Sequence, residues 1–187
     1  FDGAAAANRR ALHYLLKTPG VSYVEGFAYL TVPQAVNGYA ARGLLAAGKP
    51  AEAVAAAKDC LAVTPGNTEL PLGLVPELDR LGRAADADGL FRAVWDAYAG
   101  LIAAQPDTAW GRAQAAWLAA GCRRELDAAL QHAEKAVELE PDVKGYREAL
   151  AEVRFRRGDR AAAVAGMREL VKLDPRSHHY RQQLERY

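Results

Sequence analysis

Histidine, cysteine and clustered arginine are the residues of this chain that could do chemistry. Acid–base or nucleophilic work needs such groups to converge, with pKa values set by burial and by neighbours. The four histidines are scattered instead. His13 and His132 fall in helical stretches and read as surface or packing residues. His178 and His179 are adjacent, and neighbours on a helix point in different directions, so one of them at most could hold a metal, with no third ligand apparent. Cys60 and Cys122 make neither a disulfide framework nor a Cys/His metal spacing. Cys60 reads as a buried packing residue. Cys122 stands before a helix beside Arg123 and Arg124, a setting that lowers a thiol pKa, although an ordinary turn residue fits the place better. Arg157-Gly158-Asp159 spells an adhesion-type tripeptide, but a turn between helices wants Gly followed by Asp for backbone reasons alone. Arg154, Arg156, Arg157 and Arg160 read as the solvated end of a helical hairpin before they read as an anion site. No glycine-rich phosphate loop is present. The expectation is a chain that is not an enzyme, with no catalytic residue, cofactor or metal.

Composition narrows the class further. Half of the 187 residues are apolar and a quarter are charged, an ordinary globular balance. Alanine is abundant and β-branched residues are sparse, which favours helix. The net charge of +1 argues against a nucleic-acid or anionic-lipid partner. The charge is uneven: residues 142–187 carry 11 Lys/Arg against 7 Asp/Glu, and residues 1–141 carry 13 against 16. No apolar run is long enough to span a membrane. The chain opens on Phe1 without a signal-peptide pattern and reads as a fragment of a longer bacterial protein, with an Ala/Arg/Gly content that suggests a GC-rich genome.

The elements that must position these residues are announced by proline. Pro65, Pro106, Pro141 and Pro175 are spaced 41, 35 and 34 residues apart, and Ala/Leu-rich amphipathic stretches precede three of them. A period near 34 that closes on proline is the mark of stacked helical hairpins. Glycine supplies a second clock, with Gly48 and Gly158 each 17 residues before a proline and Gly82 and Gly158 each 17 after one. Each hairpin is therefore a helix A, a glycine turn that tolerates the left-handed conformation, a helix B and a proline. Five residues past the glycine the helices cross closest and want a small residue, which Ala53, Ala87 and Ala163 supply. One turn further along the same face stand Ala57, Phe91 and Met167.

This pattern resembles the tetratricopeptide repeat. Leu150-Ala151, Gly158, Ala163, Met167, Leu170 and Pro175 carry the likeness, as do Gly48, Ala53, Ala57, Cys60 and Pro65, over about residues 33–175. The resemblance implies an all-α, right-handed superhelical solenoid of helix-turn-helix repeats. The whole chain then reads as one domain: a half-repeat helix at 1–19, an insertion at 20–32, repeats at 33–66, 67–107, 108–141 and 142–175, and a capping helix at 176–187. Two departures stand out. The 41-residue spacing places seven extra residues in helix B of the second repeat, roughly Ala84 to Gln105, which lengthens it by ~10 Å. Its Phe91, Trp95, Tyr98 and Ile102 share one stripe, either as extra packing or as a ledge for a partner. The insertion, richest in β-prone residues at Val21–Val32, reads as irregular or helical, and Ser177 can cap a last polar helix, His178 to Tyr187.

What the resemblance implies about function is a surface for other molecules. Helix A of each hairpin would line a concave groove, and the residues carried over to it include Arg42, Leu45, Leu72, Asp79, Arg80, Trp110, Trp117, Glu148, Glu152 and Phe155. That groove would be aromatic in the middle and charged at both ends. Aromatics beside arginine are usual anchors of an interface, although both tryptophans could equally pack between hairpins. The leading expectation is a non-catalytic scaffold domain of a larger protein, with a protein or peptide partner. The alternatives are a self-associating structural spacer and an accessory domain of an enzyme whose catalytic part lies elsewhere.

Overall fold

The computed structural model describes residues 36–187 together with Gly3, Ala6 and Ala7. Apart from those three residues, the half-repeat helix expected at 1–19 and the insertion expected at 20–32 lie outside the described residues. Residues 36–46 are helical (α1). They are followed by α2 (Pro50–Val63), α3 (Glu69–Arg80), α4 (Ala84–Ala104), α5 (Ala109–Cys122), α6 (Leu126–Leu139), α7 (Lys144–Arg156), α8 (Arg160–Leu173) and α9 (His178–Arg186). The described residues contain no strand, and the fold is an all-α array of helix-turn-helix repeats. They form two compact units, one ending at Val94 and one comprising Trp95–Tyr187.

Local chemistry starts and stops these helices. Pro50 opens α2, where its missing N–H is no loss. Thr108, Asp159 and Ser177 cap α5, α8 and α9, their side chains accepting from the backbone N–H of Gly111, Ala162 and Tyr180. Helix A ends four times in the same turn. The N–H of the left-handed residue bonds three residues back, and the next N–H bonds five back: Gly48 to Leu45 and Lys49 to Leu44, then Gly82 to Asp79 and Arg83 to Leu78, then Gly158 to Phe155 and Asp159 to Arg154.

The third repeat makes this turn without glycine. Arg123, which lies 17 residues after Pro106, takes φ 54°, and Arg123 and Arg124 donate to Ala120 and Ala119. Glu125 is also left-handed, at φ 51°. The turn is one residue longer than the others, which accounts for the spacing of 35, and the small crossing residue moves to Ala129, fully buried. In the other repeats Ala53, Ala87 and Ala163 are fully buried, as are Ala57, Phe91 and Met167 one turn on.

The seven extra residues of the second repeat lie in α4, which has 21 residues where α2, α6 and α8 have 14. Its last turns pack on α5. The Tyr98 ring meets Trp110 edge-on at 5.8 Å between centroids. Gly111 allows the approach, since a Cβ there would stand 3.0 Å from Leu101 Cδ2 and 2.9 Å from Thr108 Cγ2. In the same unit α5 packs on α6 and α7, α6 on α7, α7 on α8, and α8 on α9.

Candidate functional site

In the first unit the A helices meet at a concave pocket of about 510 Å³. Leu45, Leu72 and Leu74 give it apolar walls, and Arg42, Glu69 and Glu77 stand at its rim. The Arg42 Nη2 donates to the Glu69 carbonyl oxygen at 2.8 Å. Its guanidinium lies against Gly73, where a Cβ would come within 3.1 Å of Arg42 Nε. A glycine in mid-helix, costly in itself, thus makes room for the arginine to lie flat on α3. Arg80 is exposed and turned to its own helix, with Nε and Nη2 donating to Glu77 Oε2 and Oε1 at 2.9 and 2.5 Å. That fork holds the Glu77 carboxyl below its ordinary range. Asp79 is exposed on the same helix and is not part of the pocket lining. The structure therefore brings Arg42, Leu45 and Leu72 together. Glu69, Gly73 and Glu77 were missed by sequence reasoning, although the Glu77/Arg80 spacing on one helix face was a usable signal.

In the second unit Trp110 and Trp117 lie on α5 with unequal exposure: Trp110 is 53% exposed and Trp117 is half-buried. His132 is packed against Trp95, with Arg112 Nη1 3.3 Å from its Nδ1. Burial, then the charge of Arg112, pushes its pKa down. Glu148, Glu152 and Phe155 share one face of α7, and α9 with Tyr187 covers them. Glu148 Oε1 meets His179 Nε2 at 2.5 Å. Glu152 is 5% exposed and is the acceptor for Arg156 Nε at 2.7 Å, for the Tyr187 hydroxyl at 2.6 Å and for Arg186 Nη2. Burial alone would raise its pKa, but these donors together hold it low. Phe155 stacks on Tyr187 at 4.5 Å, and the Arg186 guanidinium lies 5.2 Å from its centroid.

The arginine run around the adhesion-type tripeptide is dispersed into separate pairs. Arg154 meets Glu134 at 3.3 Å and Arg157 meets Asp127 at 2.5 Å. Arg156 serves Glu152, and Arg160 donates to the Tyr187 carbonyl oxygen. No converged anion site results, and Gly158 serves the turn with φ 90°. Cys122 is the last residue of α5 and is buried, and Cys60 is buried under Asn67 and Thr64. Among the described residues no three of His, Cys, Asp and Glu are grouped to hold a metal, and no helix is long and apolar enough to cross a membrane.

No protein-family model matches the chain, and a search of curated proteins returns no match. Solved structures do match. A tetratricopeptide repeat protein from Parabacteroides merdae is similar over 97% of this chain with a TM-score of 0.50 and 14% identity. This chain spans 63% of that protein's length. A thermophilic tetratricopeptide repeat protein from Thermus thermophilus aligns over 81% of this chain and 79% of its own, with 18% identity and a TM-score of 0.46. MamA from Desulfovibrio magneticus aligns over 94% and 97%, with 18% identity and a TM-score of 0.43. The first likeness carries the fold and, at its identity, the fold alone.

Proposed function

We propose that this chain, of tetratricopeptide-repeat fold, is a non-catalytic scaffold that binds a protein or peptide partner on its helix-A faces. The observation that carries this reading is the pocket between α1 and α3, with leucine walls and a rim of Arg42, Glu69 and Glu77. It offers room for an aliphatic side chain of a partner, with polar groups of both signs to orient the partner's backbone. Arg42 is preset by Glu69 and the Gly73 gap, which spares part of the ordering cost of binding. Peptides selected from a displayed random library against the chain test the reading by fluorescence anisotropy. Arg42→Ala and Leu72→Glu are each expected to weaken the selected peptides by roughly tenfold or more, the 1–3 kcal/mol of an interface anchor. Affinities unchanged in both variants would sink it.

One observation favours a second reading, self-association. Trp110 is the most exposed aromatic side chain of α5, at 53%. If copies meet there, Trp110→Ser lowers the concentration-dependent mass in sedimentation. A native chain that stays monomeric up to high micromolar concentration removes this alternative.

A further inference from the structure

The face of α7 that carries Glu148, Glu152 and Phe155 is already occupied, and the occupant is held in an unusual way. None of the nine residues of α9, His178–Arg186, is buried. Apolar contact is concentrated at Tyr187, which stacks on Phe155 of α7 and joins Ala151, Ala163, Met167 and Leu170, with Tyr180 and Leu184 at the edge. The remaining attachments to α7 are polar: His179 to Glu148, Arg186 and the Tyr187 hydroxyl to Glu152, and Lys144 to Asp174 just before α9 at 3.0 Å. Docking also carries penalties. It desolvates the Glu152 carboxylate, a cost that the donors of the strap must first offset, and it leaves Gln183 Oε1 buried with no hydrogen-bond partner among the described residues. A helix whose only fully buried anchor is the one ring that follows it, with charged attachments and an unsatisfied amide, is poised near the point of release.

We propose that α9 is an exchangeable strap, seated in a receptor site on α7 and α8 that takes a short helix carrying an arginine followed by an aromatic residue. Glu152 receives the arginine and the tyrosine hydroxyl of that pair, Phe155 receives the ring, and the Met167–Leu170 surface receives the aliphatic residue three positions before the aromatic one. In the native chain the strap is tethered by Asp174–Ser177, and its effective concentration, of order millimolar for so short a link, masks the site from ligands at micromolar levels. A partner with the same pair gains access only when the strap leaves, so the site is self-inhibited. This inference is independent of the pocket in the first unit.

The test uses the full chain and a fluorescent peptide of residues 176–187. Arg186→Ala weakens the strap while leaving the receptor residues native, and the variant is expected to bind the peptide roughly tenfold or more tightly than the native chain does. Gln183→Leu removes the unsatisfied acceptor and tightens the strap. In that variant amide exchange over 178–187 slows relative to 160–173, and peptide binding falls further. Equal binding by native and Arg186→Ala chains, or no binding by the latter, overturns the proposal. So does a native chain in which α9 and α8 exchange at the same rate as each other, because α9 is then part of one cooperative core.

Discussion

Glu152 shows how a buried carboxylate is kept charged. Desolvation raises its pKa, and the hydrogen bonds from Tyr187, Arg186 and Arg156 outweigh that effect. A carboxyl lowered on folding contributes stability that is complete above the ordinary carboxylate range and is lost as pH falls through it. Glu152→Gln is expected to cost about 2–3 kcal/mol at pH 7, since charge-assisted bonds at a buried site are lost. Urea denaturation should show that difference shrinking toward pH 3. The Tyr187 hydroxyl, donating to Glu152 and buried, is pushed far above its usual range and stays protonated throughout. Arg123 makes the opposite case, a residue under strain. A left-handed residue with a side chain costs ~1–2 kcal/mol, against the 0.5–1 kcal/mol of entropy that glycine loses on folding. Arg123→Gly should therefore stabilise the chain by up to ~1 kcal/mol, read as a higher Tm. An unchanged or lower Tm would show that the Arg123 side chain contributes contacts of comparable worth.

At the level of elements, the 21-residue α4 is the departure that matters most. Two extra helical turns would be a liability if their apolar stripe stayed open, and Tyr98 and Leu101 close it against Trp110 and Gly111 of α5. Gly111→Ala should push on the Thr108 cap and on Leu101, at a cost of ~1–3 kcal/mol in chemical denaturation. Gly145, near the start of α7 with nothing within reach of an added Cβ, is the control, and Gly145→Ala should be neutral or slightly stabilising. The extension was legible in the sequence as a spacing of 41, because Pro65 to Gly82 keeps the ordinary 17 and leaves only helix B to absorb the surplus. Its use was not legible. Nothing in the spacing of Phe91, Trp95, Tyr98 and Ile102 says whether a stripe meets solvent, a partner or its own chain.

For the molecule as a whole, a repeat array is stabilised by neighbours, so damage spreads to the adjacent hairpin before it reaches distant ones. Within the second unit, Ala163→Leu overpacks the α7/α8 crossing and is expected to cost ~1–3 kcal/mol. Hydrogen exchange should rise first over α7–α9 and last over α5. Uniform loosening of the unit would show a single cooperative block instead.

The sequence by itself determined the all-α repeat fold, the turns and the crossing points. These depend on local facts: where a backbone needs a left-handed residue, where two helices leave room only for alanine, and where proline forbids helix. The third-repeat turn, one residue longer than the others, and its use of Arg123 in place of glycine came only with the structure. Tertiary structure alone decided what the helix-A faces do. Arg42 and Leu72 meet around an open pocket, whereas Glu148, Glu152 and Phe155, named on the same grounds, are covered by α9. The partners are 31–35 residues away in sequence, Glu148 with His179 and Glu152 with Arg186 and Tyr187. Opposite charges one period apart were visible as a pattern, but a period says only that two positions are neighbours. Whether their side chains pair or face a partner depends on burial and on the geometry of the last helix, and those exist only once the repeats have stacked.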